Sequence, residues 1–278
     1  MTPSPARKPS PRATLLALAT LVALVLVPFL FWQGTWFGRT LSDRDLDKYL
    51  RDETKPRQMQ HALVQISQRL ERRDSSVSRW YPRVAELSRH TVAELRVTAA
   101  WLMGQDNREK TFHDALLAML GDPEPAVRRN AALSLVRFSD AAGHGELAAM
   151  LRPFTLLAPR DGVLRYRLKV GDVVDHLTLI ARLETGEQEP LEVRSPLPGK
   201  FEAKIAAEGA PVRAGEELLR LGPSADHVWE SLRALYLVGA AEDLPEVEKL
   251  TRPVPQWSQQ IAEQASLTAR QIRARAAR

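Results

Sequence analysis

Six histidines, at positions 61, 90, 113, 144, 176 and 227, are the first side chains to weigh for metal or acid–base chemistry. None forms a His-x-His or His-x-x-x-His pair, so no ligand spacing for a metal is written in the chain. The absence of cysteine from all 278 residues excludes thiolate metal sites, disulfide staples and a lipoprotein thioester. Val170-Gly171-Asp172 and Thr185-Gly186 read as turns, because neither belongs to a Gly-rich run ending in Lys-Ser/Thr that could hold a triphosphate. No Gly-x-Ser-x-Gly elbow occurs, and Ser195 precedes a proline in a structural turn. With no set of acid, base and nucleophile, the reading is a non-enzymatic protein without a cofactor. What the chain does offer is guanidinium groups. Arg69, Arg72, Arg73, Arg128 and Arg129 are candidates for bidentate contact with acidic groups of a partner. Arg270, Arg273, Arg275 and Arg278 form a basic C-terminal tail with no acid after Glu263. That tail reads either as a solvated helix end or as a contact for anionic lipid or an acidic partner face. No aromatic and basic stripe suited to nucleic acid is present.

The arginine pair 128–129 opens a helix that the sequence marks clearly. Phe112 to Leu120 has a helical apolar pattern, Gly121-Asp122-Pro123-Glu124-Pro125 breaks it, and Ala126 to Phe138 resumes it with Val127, Ala131 and Leu135 on one face. Asp122 is the expected cap of the second helix, and a proline suits its first turn, where the missing N–H costs nothing. The same residues recur 32 positions earlier: Leu95-Arg96 matches Val127-Arg128, Ala99-Ala100 matches Ala131-Ala132, and Met103 matches Leu135. A weaker copy fits Gln58 to Leu70. The pattern, with its Asp in the turn and Val-Arg at the second helix, resembles a HEAT repeat, which implies a stack of helix pairs over residues 41–154 that binds other proteins. The small residues at 99, 100, 131 and 132 let such helices approach. After residue 223 helical spacing returns at Val228, Trp229, Leu232, Leu235 and Tyr236, so residues 224–278 are expected to be helices that either continue the repeats or pack on what precedes them.

Between the helical regions lies a duplication, over residues 155–222. One half runs Pro159, Gly162, Gly171, Val174, Leu177, Ile180, Leu183; the other runs Pro196, Gly199, Gly209, Val212, Gly215, Leu218, Leu221. The offset is 37 residues at the Pro/Gly turns and 38 from Gly171 onward. A half this short cannot bury its apolar face alone, whereas two halves related by a pseudo-twofold axis can. The candidate core is Val163, Val174, Ile180, Val212, Leu218 and Leu221. Segments such as Val170-Gly171-Asp172-Val173-Val174 and Ser195-Pro196-Leu197-Pro198-Gly199-Lys200 resemble the biotinyl/lipoyl carrier fold and, more closely, its barrel-sandwich relatives in periplasmic adaptors of efflux and secretion pumps. The carrier resemblance implies a modified lysine at the link between halves, and this link, Glu184 to Pro190, contains none. The adaptor resemblance implies a long helical hairpin at the same link, for which seven residues are too few.

At the N-terminus, residues 1–12 are rich in Pro and Ser with Arg7, Lys8 and Arg12 as their charges, and are expected to form a cytoplasmic tail. Residues 13–33 are uncharged, and Ala13 to Trp32 matches in length the roughly 30 Å of bilayer hydrocarbon. With Trp32 and Trp36 as an aromatic border and the basic flank inside, the expectation is a single-pass helix in the inner membrane with the remainder exported to the periplasm. The expected fold is therefore α+β: a transmembrane helix, a HEAT-like α-solenoid, an inserted lipoyl-like β domain and C-terminal helices. The expected function is a membrane-anchored scaffold or assembly subunit binding other subunits of a bacterial envelope complex. The alternative is a periplasmic adaptor of an efflux or secretion pump.

Overall fold

The computed structural model describes residues 20–22, 24, 40–252 and 257–277. The chain forms two units, residues 1–65 and 66–278. In the first, helix α1 (Asp43–Arg51) opens on a capping box, Ser42 accepting from the Asp45 N–H and the Asp45 carboxylate accepting from that of Ser42. Asp43 and Asp45 at its start, with Lys48 and Arg51 at its end, complement the helix dipole. Leu46 and Leu50, one turn apart, are buried. Helix α2 (Pro56–Glu71) begins in this unit and buries Met59, Ala62 and Leu63.

The second unit alternates helices of two layers. The first layer holds α3 (Tyr81–Leu87), α5 (Lys110–Met119), α7 (His144–Ala149) and α9 (Leu244–Lys249). The second holds α4 (Ala93–Met103), α6 (Pro125–Arg137), α8 (Ala225–Val238) and α10 (Gln259–Ala276). Each helix packs on the next member of its pair, α3 on α4, α5 on α6, α7 on α8 and α9 on α10, while α4, α6, α8 and α10 pack side by side in that order. The third pair is split, because 75 residues separate the end of α7 from the start of α8. Its core is not split: Leu147 and Met150 share one buried cluster with Ala132, Val228, Leu232, Leu235, Val247, Ile261 and Ile272. The C-terminal helices thus continue the stack.

The interrupting segment carries eight strands: β1 (Phe154–Leu157), β2 (Gly162–Tyr166), β3 (Val173–Val174), β4 (Leu179–Glu184), β5 (Leu191–Arg194), β6 (Gly199–Lys204), β7 (Pro211–Val212) and β8 (Glu217–Pro223). They form two antiparallel sheets ordered β1-β8-β6-β3 and β5-β4-β2-β7. Exchanging β1–β4 with β5–β8 turns one order into the other, which is the topological form of the sequence duplication. Gly171 and Gly209 occupy matching turns with φ of 101° and 76°, a region open to glycine and costly to other residues. The unit has its own core, built on Leu164, Val174, Ile180, Leu183, Phe201, Val212, Leu218 and Leu221. Leu164 takes the place expected of Val163, which is only half-buried; on a strand a register error of one residue exchanges inside for outside.

The membrane-spanning part of the expected fold class is corrected. Among the described residues no helix is long and apolar enough to cross a membrane. An uncharged run of sufficient length and hydropathy is a candidate for a span and not by itself a spanning helix. Of the expected span at 13–33, only Thr20, Leu21, Val22 and Leu24 are among the described residues; the rest of it, and the tail at 1–12, lie outside them. The expected bilayer span and the expected exported location rest on that stretch.

Candidate functional site

A side chain at the start of two second-layer helices, α4 and α6, ties successive pairs together. Arg96 Nε and Nη2 donate to the two carboxylate oxygens of Asp122 at 2.7 and 2.8 Å, and Nη1 donates to the His90 carbonyl at 2.8 Å. Arg128, 32 positions later, donates to the Asp122 carbonyl at 2.8 Å and to Glu146 at 3.1 Å. Asp122 is therefore a rung between pairs, accepting also from the Glu124 N–H, and the cap position of α6 falls on Glu124. Burial alone would raise the Asp122 carboxyl, but Arg96 and the Glu124 N–H outweigh it and hold it below its ordinary range.

A second ladder runs along the first layer. Tyr81 donates to Asp106 at 2.9 Å, His113 Nε2 meets Asp140 at 2.7 Å, and His144 Nδ1 meets Asp243 at 3.1 Å. The third rung crosses the entire β unit in sequence. These histidines are thus employed in linking pairs, and among the described residues no group of three His, Cys, Asp or Glu gathers that could hold a metal.

Arg129 was expected to face a partner, and the structure places it inside, 4% exposed. Its Nη1 lies 3.2 Å from His227 Nδ1 on α8, and its Nε lies 3.7 Å from Glu146 on α7. The cluster therefore clasps the chain where it leaves for the β unit and where it returns. Burial pushes Arg129 down to about 10, with Glu146 opposing. Burial and then the Arg129 charge push His227 down to about 4, with Asp226 opposing. A neutral His227 accepts from Arg129; a protonated one would repel it. Because its folded value lies below the ordinary 6.5, the stability it permits is complete above about pH 6.5 and is lost as pH falls toward 4. After a discount for partial solvent access, the loss should reach roughly 2 kcal/mol, and urea unfolding at pH 7 and pH 4.5 should show it in the native chain and much less of it in His227→Gln.

The other expected contact residues divide. Arg69 lies with its guanidinium 5.4 Å from the centre of the Trp80 ring, and Arg72 and Arg73 are exposed at the end of α2. Arg273 pairs with Glu248 at 2.6 Å, and Arg275 caps α8 through the carbonyls of Tyr236, Leu237 and Gly239. Arg270 is exposed, and Arg278 lies outside the described residues. These arginines do not converge on one site.

A concavity lies instead on the second layer, a groove of about 600 Å³ across α4, α6, α8 and α10. Trp101, Leu237 and Leu267 are 44%, 61% and 45% exposed there. Helix-to-helix hydrogen bonds fix which positions correspond. Ser134 donates to the Ala100 carbonyl, and Thr268 donates to that of Leu232, each at 2.8 Å. Together with the offset of 32 between Arg96 and Arg128, these bonds make Trp101, Leu133, Arg233 and Leu267 one row, and all four line the groove.

Residues 82–167 match the family model of HEAT repeats. The matched HEAT segment runs past α7 into β1 and β2, where an uninterrupted repeat would have its second helix. No curated protein matches the chain. Similar solved structures include the product-bound ectoine utilization protein EutE (DoeB) from Ruegeria pomeroyi, at 20% identity and TM-score 0.23, over 25% of this chain and 22% of that one. Another is a single-chain, multi-domain long-chain acyl-CoA carboxylase, at 16% identity and TM-score 0.25, over 35% of this chain and 10% of that one. The chain thus spans about a fifth and a tenth of those two proteins, too little likeness to carry an activity to the HEAT repeats or the β unit.

Proposed function

We propose that this chain is a non-enzymatic protein-interaction scaffold that seats a partner on the second-layer groove of its HEAT repeats, while the inserted β unit sets geometry. The observation that carries the reading is the exposure of Trp101, Leu237 and Leu267 along one groove, since interfaces draw most of their energy from a few such apolar or aromatic anchors. The β unit has an apolar core of its own and also exposes Leu157, Val170, Val173, Leu177 and Ile205 singly on short strands and turns, and its link at 185–190 is too short for a docking hairpin and has no lysine to modify. Its sheet order supports a non-carrying relative of the biotinyl/lipoyl fold.

A photo-crosslinking residue at position 237 of the full-length chain, in its own cells, should capture a protein that one at exposed Arg160 does not. Leu237→Glu should then reduce recovery of that protein about tenfold or more while leaving the helical circular dichroism unchanged. Equal capture at the two positions would overturn the groove as the docking face.

A further inference from the structure

The groove also specifies the chemistry of its occupant, an inference that rests on the docking reading above. The row Trp101, Leu133, Arg233, Leu267 is apolar at three of its four repeat positions. Repetition supplies an internal control: the stack folds with an apolar side chain at this position in the other pairs, so packing does not require the cation on α8. Arg96, Arg128, Arg129 and Arg275 each answer a carboxylate, imidazole or carbonyl of the fold. Arg233 is exposed, and among the described residues no carboxylate lies within ion-pair distance of it, Glu230 one turn earlier included. Arg137 at the groove edge adds a second positive charge, against the single carboxylate of Glu230.

We propose that the groove takes an acidic amphipathic segment of a partner protein, whose apolar side chains rest on Leu133 and Leu267 and whose carboxylate, between them, meets Arg233. A guanidinium held on a partly apolar wall favours a carboxylate over an amide through charge and a two-point hydrogen bond. Packed helices lie about 8–10 Å apart, so the row crosses roughly 27 Å, the length of a helix of about 18 residues.

The test uses the full-length chain and three synthetic 18-residue amphipathic helices that share one leucine stripe and carry Glu, Gln or Lys at its centre. Fluorescence anisotropy should show the Glu peptide binding about tenfold more tightly than the Gln peptide, with the Lys peptide weakest and the preference fading as salt rises. Arg233→Glu should reverse the order of the Glu and Lys peptides. Arg233→Leu, which restores the apolar row, should abolish the preference and favour a fourth peptide with leucine at the centre. Glu and Gln peptides bound equally by the native chain would overturn the acidic preference and leave the groove as a docking face. No binding by any of the peptides, together with unaltered partner capture in Leu237→Glu, would remove the docking reading as well.

Discussion

Arg96→Ala is expected to destabilise the helical repeats by about 3–5 kcal/mol, the usual cost of leaving one partner of a buried ion pair alone. The side chains of Arg96 and Asp122 are only 12% and 9% exposed, and the two N–H to carboxylate bonds are parallel and short. Without the guanidinium, Asp122 keeps only the Glu124 N–H and the neighbouring charge of Arg128 to offset its burial. The carbonyl of His90 loses its donor too. Arg96→Lys should recover only part of the loss, since an ammonium cannot make the fork-shaped contact. Arg96→Ala/Asp122→Ala together should cost clearly less than the sum of the two single changes, because the double variant buries no unpaired charge. Acid separates the variants further. The folded Asp122 carboxyl is held low, so its contribution is present above the ordinary carboxylate range and disappears as pH falls through the folded value; Arg96→Ala should lack that last acid-sensitive increment. Chemical denaturation of the native chain and the four variants at neutral and acid pH measures all of this, and additive costs would mean that the pair is not a coupled rung.

How far this arrangement could be read from the chain depended on whether each feature was local. The offset of 32 was legible because Arg96 and Arg128 perform the same task, each donating to a carbonyl of its own turn. The β duplication was legible because its turns need glycine in a backbone region that other residues avoid. The split repeat was hidden. α7 has only six residues, too few for a periodic signal, and its partner helix begins after eight strands. Arg128 and Arg129 could not be told apart because they are adjacent in a doublet, yet one residue turns a helix by about 100°, enough to put one at the turn and the other inside. The groove left a fainter trace. Trp101 and Leu133 stand at the repeat offset, but Arg233 and Leu267 come into the row only when the β unit is removed from the count.

That a stack of helices survives so large an interruption leads to the other large effect, Gly199→Ala. A Cβ at position 199 would sit 2.3 Å from the carbonyl oxygen of Gly222, a backbone atom of the paired strand β8 that cannot swing aside as a side chain would. Its duplicate, Gly162, has more room: the nearest atom there is the Glu184 carbonyl oxygen at 3.1 Å. The cost of Gly199→Ala should therefore be about 3 kcal/mol and that of Gly162→Ala about 1 kcal/mol, spanning the range for overpacking a filled site. The location of the loss matters as much as its size. β1 and β8 are paired, Phe154 opposite Leu221, so the chain leaves the helices and returns to them at neighbouring points. The two regions bury separate apolar clusters, Phe201 and Leu218 in one, Leu232 and Ile272 in the other. Hydrogen exchange in Gly199→Ala should accordingly show amides of β6 and β8 opening while those of α4, α6 and α10 keep native protection. Loss of protection in all of these together would show that the β unit and the repeats fold as one cooperative body, and that the insertion is structural support for the groove and not a separable attachment to it.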